Sequence, residues 1–122
     1  MGIETEVIKK DDYIHFKLMG EYPGKDAFKD FDQIIEASSK YDCPIILLDC
    51  TDFKYELSTY DRYEIGEYIA ETYGSKHLKI ALVGNPKNID SFTETVAQNR
   101  GANFRMFSEQ EKAIKWLLNK KP

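Results

Sequence analysis

The chain is poor in the residues that usually announce a chemistry: 122 residues contain only two histidines, two cysteines and one tryptophan. His15 and His77 have no metal-ligand spacing, and Cys43 and Cys50 do not form a Cys-x-x-Cys pair. The two cysteines flank one apolar run, which as a strand holds them roughly 23 Å apart, beyond disulfide reach, so two free thiols are expected. No Gly-x-Ser-x-Gly elbow, phosphate-binding Walker loop, His-rich metal motif or Cys–His signature occurs. No apolar run is long enough to span a bilayer. The opening Met-Gly-Ile-Glu-Thr-Glu lacks the basic and apolar regions of a secretory signal, so a cytoplasmic location is expected. An excess of basic charge is missing as well: 17 Lys and Arg against 21 Asp and Glu leave a net charge of −4. That balance argues against gripping nucleic acid, which takes clustered Lys and Arg. There is no linker-like stretch and no repeat, so residues 1–122 are expected to form a single domain.

What is present is an alternation of strand and helix patterns. Residues 4–9 and 13–19 read as two strands joined by the short Lys10-Asp11-Asp12 turn, with Ile14, Phe16 and Leu18 facing one way and His15 and Lys17 the other. Phe28, Phe31, Ile34 and Ile35 fall at helical spacing within 26–39. Pro-Ile-Ile-Leu-Leu-Asp at 44–49 is nearly continuous apolar sequence, as in a strand buried on both faces of a parallel sheet. Ser58 and Asp61 mark a second helix start and Gly74 its end. Lys79–Val83 reads as another buried strand, and a helix over 89–100, with Phe92 and Val96 inward, stops at Gly101. Phe104 and Met106 alternate with Arg105 in a last strand, after which Ser108-x-x-Glu111 has the form of a capping box for a helix bearing Ala113, Ile114, Trp116 and Leu117. Helical crossovers between strands imply a mainly parallel sheet, with the N-terminal hairpin adding one antiparallel edge strand. The expected class is α/β with about four helices.

The order of these motifs carries a resemblance over nearly the whole chain. An opening hairpin, a strand ending Leu-Leu-Asp, a strand ending Ala-Leu-Val-Gly and the final Phe-Ser-x-x-Glu-x-Ala-x-x-Trp-Leu together resemble the SpoIIAA-like proteins, which have a STAS-type fold. The resemblance implies a non-catalytic regulatory domain that contacts a protein partner or associates with itself. The wider fold group includes anti-sigma-factor antagonists, switched by phosphorylation of a serine where the helix after the central strand begins. It also includes CRAL/TRIO domains, which imply the alternative of a small carrier for an apolar ligand or lipid. No cofactor is implied.

The antagonists' Asp-Ser-Ser-Gly-like motif is absent: the corresponding stretch runs Asp49-Cys50-Thr51-Asp52-Phe53-Lys54-Tyr55-Glu56-Leu57-Ser58. Ser58, Thr59 and Tyr60 are topologically placed as phosphoacceptor or partner-docking residues, with Ser58 more simply read as an N-cap, and no working phospho-switch is expected. A ligand of an open α/β sheet sits beyond the carboxyl ends of the strands, which makes Tyr22, Thr51, Asp52, Tyr55, Asn85 and Lys87 the candidate rim. Asp49 and Asp52 are candidate paired carboxylates or hard-metal ligands, more simply read as local hydrogen-bond acceptors at a strand end. Tyr60, Tyr63, Tyr68 and Tyr73 cannot all share one helix face, so at least one is expected to be exposed and to suit an interface.

Overall fold

The computed structural model describes residues 3–22, 24, 27–54, 56–86 and 91–119, the side chains at 75, 91 and 92 excepted. Among the described residues five strands and four α-helices follow one another: β1 (Ile3–Lys9), β2 (Ile14–Glu21), α1 (Ala27–Tyr41), β3 (Ile45–Lys54), α2 (Thr59–Tyr68), β4 (Lys79–Val83), α3 (Ser91–Asn99), β5 (Asn103–Phe107) and α4 (Gln110–Leu117). The strands lie in the order β1-β2-β3-β4-β5, with β1 antiparallel to β2 and the others parallel. Because the three crossovers step in one direction across the sheet, right-handedness places α1, α2 and α3 on the same face. Helix α4 follows the last strand, is no crossover, and covers the reverse face.

The two faces differ accordingly. On the three-helix face, Ile14, Phe16 and Leu18 of β2, Ile46 and Leu48 of β3, Ile80 of β4 and Phe104 of β5 meet Phe31, Ile34 and Ala37 of α1 in the main core. On the reverse face, Leu47, Ala81 and Val83 meet Ala113 and Leu117 of α4, with Phe107, Ile114 and Trp116 half-buried around them. Lys79 Nζ donates to the carbonyls of Trp116 and Leu117 at 2.9 and 3.1 Å, placing a cation at the C-terminus of α4. Among the described residues no helix lies over the β1–β2 half of this face. Both cysteines are buried free thiols. Among the described residues no helix is long and apolar enough to cross a membrane.

Three expectations change. The capping box expected at Ser108 does not form: Glu109 is the N-cap of α4 and has no side-chain capping bond. The helix begins one residue late for that box, with the Ala113 N–H bonding back to the Glu109 carbonyl at 3.2 Å. A box does form at Ser58, where the hydroxyl accepts from the Asp61 N–H at 3.0 Å and the Asp61 carboxylate accepts from the Ser58 N–H at 3.1 Å. Calorimetry of Ser58→Ala and Ser108→Ala should therefore separate them: about 1 kcal/mol lost for Ser58→Ala, and a change within about 0.5 kcal/mol for Ser108→Ala.

Gly74 does not end the second helix. The chain widens after Tyr68 into a π turn over Ile69–Tyr73, tightens to a 3₁₀ turn over Gly74–Lys76, and stops at His77, whose φ of 56° is left-handed. The third change is in β3, which continues past Asp49 to Lys54. A bulge makes this possible. Lys17 pairs with Asp49 but Met19 with Asp52, so β3 carries one extra residue here. The extra residue restores Phe53 to the main core and turns Asp52 to the reverse face, where regular alternation would have exchanged them.

Candidate functional site

Two neighbourhoods at the carboxyl ends of the parallel strands hold most of the residues that sequence reasoning singled out. On the three-helix face lies an apolar pocket of about 50 Å³, bounded by the sheet residues Leu18, Leu48, Cys50, Phe53 and Leu82, by Ile65, Ile69 and Tyr73 of α2 and its π turn, and by Tyr22, Phe31, Leu57 and Thr93. The π turn supplies two of these walls, Ile69 and Tyr73, and such turns recur at ligand-facing positions in helices. Tyr73 is 2% exposed and donates its hydroxyl proton to the Phe31 carbonyl at 2.8 Å, tying the turn to α1. Burial pushes the Tyr73 phenol well above its ordinary value and the Cys50 thiol likewise, so both are neutral protonated groups in the wall.

Helix α2 then presents an outward surface beside the pocket. Ser58, Thr59 and Tyr60 are exposed at its start, and Tyr60, at 64%, is the most open of the large hydrophobic side chains among the described residues. Tyr63 donates to Glu67 at 3.2 Å and accepts from Arg100 of the 91–100 segment at 2.9 Å. Tyr68 turns inward, its ring stacked on Phe28 with centroids 4.5 Å apart and its hydroxyl hydrogen-bonded to Asp32. The expected split of the tyrosines between core and surface is what the helix adopts. Tight packing behind this surface fixes its position: a Cβ on Gly66 would stand 2.8 Å from Val96, so only glycine lets α2 and α3 approach this closely.

The reverse face carries a polar cluster. Asp49, 4% exposed, accepts from the Thr51 N–H at 3.0 Å and the Thr51 hydroxyl at 2.7 Å, and its other oxygen lies 2.9 Å from His15 Nε2. Burial by itself would raise the Asp49 carboxyl, but the two bonds from Thr51 and the one with His15 outweigh it and hold the group below the ordinary range. The Thr51 bonds clamp the bulge, satisfying an N–H displaced from the ladder. Lys17 pairs with Asp52 at 2.8 Å, which raises the lysine.

Of the candidate rim, Tyr22 lines the pocket, Asp52 points to the opposite face, Thr51 serves the bulge, and Asn85 lies exposed after β4. Tyr55 and Lys87 lie outside the described residues, as does the side chain of Phe92. Sequence reasoning did not bring His15 to Asp49, 34 positions away. The available signal was an outward-facing histidine in one strand and an acid at the end of an otherwise apolar neighbour. Among the described residues, no three His, Cys, Asp or Glu side chains gather as a metal site needs.

A family model for SpoIIAA-like proteins matches residues 13–118. The chain belongs to the SpoIIAA-like family. Solved structures agree with the fold. One is an uncharacterized Shewanella loihica protein of the DUF3478 family with a SpoIIAA-like fold, 19% identical, matched over 95% of this chain and 93% of that one with a TM-score of 0.55. Another is an anti-sigma factor antagonist from Mycobacterium paratuberculosis, 16% identical over 97% and 96% of the two chains, TM-score 0.66. RsbS from Moorella thermoacetica is 14% identical over 93% of each chain, TM-score 0.53. No curated protein matches. The SpoIIAA-like domain here thus has the STAS-type α/β fold, a mixed five-stranded sheet with an antiparallel N-terminal edge.

Proposed function

We propose that this SpoIIAA-like domain is a non-catalytic, cytoplasmic regulatory module that docks a protein partner through the start of α2, without a phospho-switch at Ser58. The observation behind this reading is Tyr60: a large aromatic, 64% exposed, held in the first turn of a helix whose cap is already bonded. A rigid exposed aromatic binds with little ordering cost, the property of an interface anchor. The missing switch follows from the same cap. Phosphate on Ser58 would take the hydroxyl oxygen out of its bond with the Asp61 N–H and set about two negative charges beside the Asp61 carboxylate, which already accepts from the Ser58 N–H.

Pull-downs from native extract with wild type, Tyr60→Ala and Ser58→Ala test the proposal. A specific protein should be retained by wild type and Ser58→Ala and lost roughly tenfold or more with Tyr60→Ala. Tyr60→Ala should leave the melting temperature nearly unchanged, since an exposed side chain contributes within about 0.5 kcal/mol. Equal capture by all three, or stoichiometric phosphate at Ser58 or Thr59 that abolishes capture, overturns it.

The pocket supports a second reading, a carrier of a small apolar ligand. Its walls are almost wholly apolar, yet about 50 Å³ is well below the ~300 Å³ or more that encloses a sizeable ligand. Binding would require α2 and its π turn to move off the sheet. Native mass spectrometry of the protein from its own cells, showing a bound apolar mass, would favour the carrier.

A further inference from the structure

Among the described residues no strand pairs with the outer edge of β1, and its sequence is complementary to itself. Along Glu4-Thr5-Glu6-Val7-Ile8-Lys9-Lys10 the acids occupy the first half, the lysines the second, and two apolar residues the middle. Val7 and Ile8 are 38% and 40% exposed, one on each face of this edge strand. Edge strands that present apolar residues without a covering element are templates for pairing.

The hairpin fixes which backbone groups face outward. The Lys10 N–H donates to the Tyr13 carbonyl at 2.9 Å, and the register continues as Lys9 with Ile14 and Ile8 with His15. In an antiparallel ladder hydrogen-bonded pairs alternate, so Glu4, Glu6 and Ile8 turn their N–H and C=O groups toward β2. Ile3, Thr5, Val7 and Lys9 turn theirs to the free edge.

We propose that β1 pairs antiparallel with β1 of a second copy about a two-fold axis at Val7, joining two five-stranded sheets into one. In that register Val7 faces Val7, Thr5 faces Lys9, and both are outward-bonding positions on each strand. On the reverse face Glu6 stands opposite Ile8 of the second copy, and Glu4 opposite its Lys10. This last pair selects the register. Among the described residues neither Glu4 nor Lys10 has an ion-pair partner in its own chain, whereas Glu6 already faces Lys17 across β1–β2. Shifting the axis to Glu6 would set two glutamates against each other, and like charges directly opposite are destabilising. The two-fold makes each charge contact occur twice, as in any isologous interface. The contact is independent of the α2 surface proposed above.

Sedimentation of the full chain from micromolar to millimolar concentration, at low and high salt, tests the pairing. Wild type should dimerise reversibly, more strongly at low salt. Glu4→Lys should weaken the dimer roughly tenfold, because two attractive contacts become repulsive, and Glu4→Lys with Lys10→Glu should restore it. Val7→Pro should abolish it while keeping the β1–β2 ladder, because the N–H it removes faces outward. Circular dichroism checks that each variant folds, and if Val7→Pro does not, the two charge variants decide alone. A monomer at every concentration, a dimer indifferent to Glu4→Lys, or a double reversal that fails to restore association overturns the proposal.

Discussion

Tyr73→Ala should lower stability by about 3–5 kcal/mol, with a fall in melting temperature on the order of 10–20 °C by calorimetry. The side chain is 2% exposed, its ring meets Tyr68 edge-on at 5.7 Å, and its hydroxyl bonds the Phe31 carbonyl. Truncation removes all three contributions and leaves a cavity continuous with the apolar pocket, which Tyr73 lines. Tyr73→Phe isolates the hydrogen bond and should cost only about 1 kcal/mol. The enlarged cavity gives a second readout. Small apolar voids stay dry and take up molecules such as benzene, so saturating benzene should raise the melting temperature of Tyr73→Ala and leave wild type unmoved. If benzene stabilises wild type as well, the pocket already opens in the native protein, which favours the carrier reading.

How far the sequence carries depends on whether a feature is set locally. Lys79–Val83 was legible to the residue because a short apolar run, opened by Lys79 and closed by Gly84-Asn85, reads as a buried parallel strand. The hairpin, α1 and the stop at Gly101, whose φ is 100°, were legible for similar reasons: alternation, helical spacing, and a conformation that glycine adopts freely. The second half of β3 was not. Its alternation slips by one at the bulge, and what holds the bulge is Asp49 bonding Thr51, a side-chain contact with no periodic signature. Capping shows the same limit. Ser108-x-x-Glu111 and Ser58-x-x-Asp61 look alike on the page, but only the second coincides with the helix start that tertiary packing selects. At the candidate site, the crowding of tyrosines around α2 was readable while its pocket was not, because Leu18, Phe53 and Ile69 converge only through the sheet register and the π turn.

Asp49→Ala should cost about 2–4 kcal/mol, the other large effect expected among single substitutions. The carboxylate receives two bonds from Thr51 and one with His15 in a nearly buried setting, so its removal leaves the bulge N–H and the imidazole without their acceptor. Release of the bulge should also be visible in structure. Phe53 reaches the core only because of the extra residue, so Asp49→Ala should loosen the Lys54 end of β3 and speed amide exchange there before it affects Leu47 and Leu48. A pH series adds an independent check. The folded carboxyl lies below its unfolded value of about 3.9, so its contribution is present in full above that value and is lost as pH falls through the lowered folded value. Asp49→Asn, which keeps the shape and cannot ionise, should be less stable than wild type at neutral pH and should converge with it as the pH drops below about 4. Parallel stability curves for wild type and Asp49→Asn across that range would show that the charge of Asp49 does not hold the bulge.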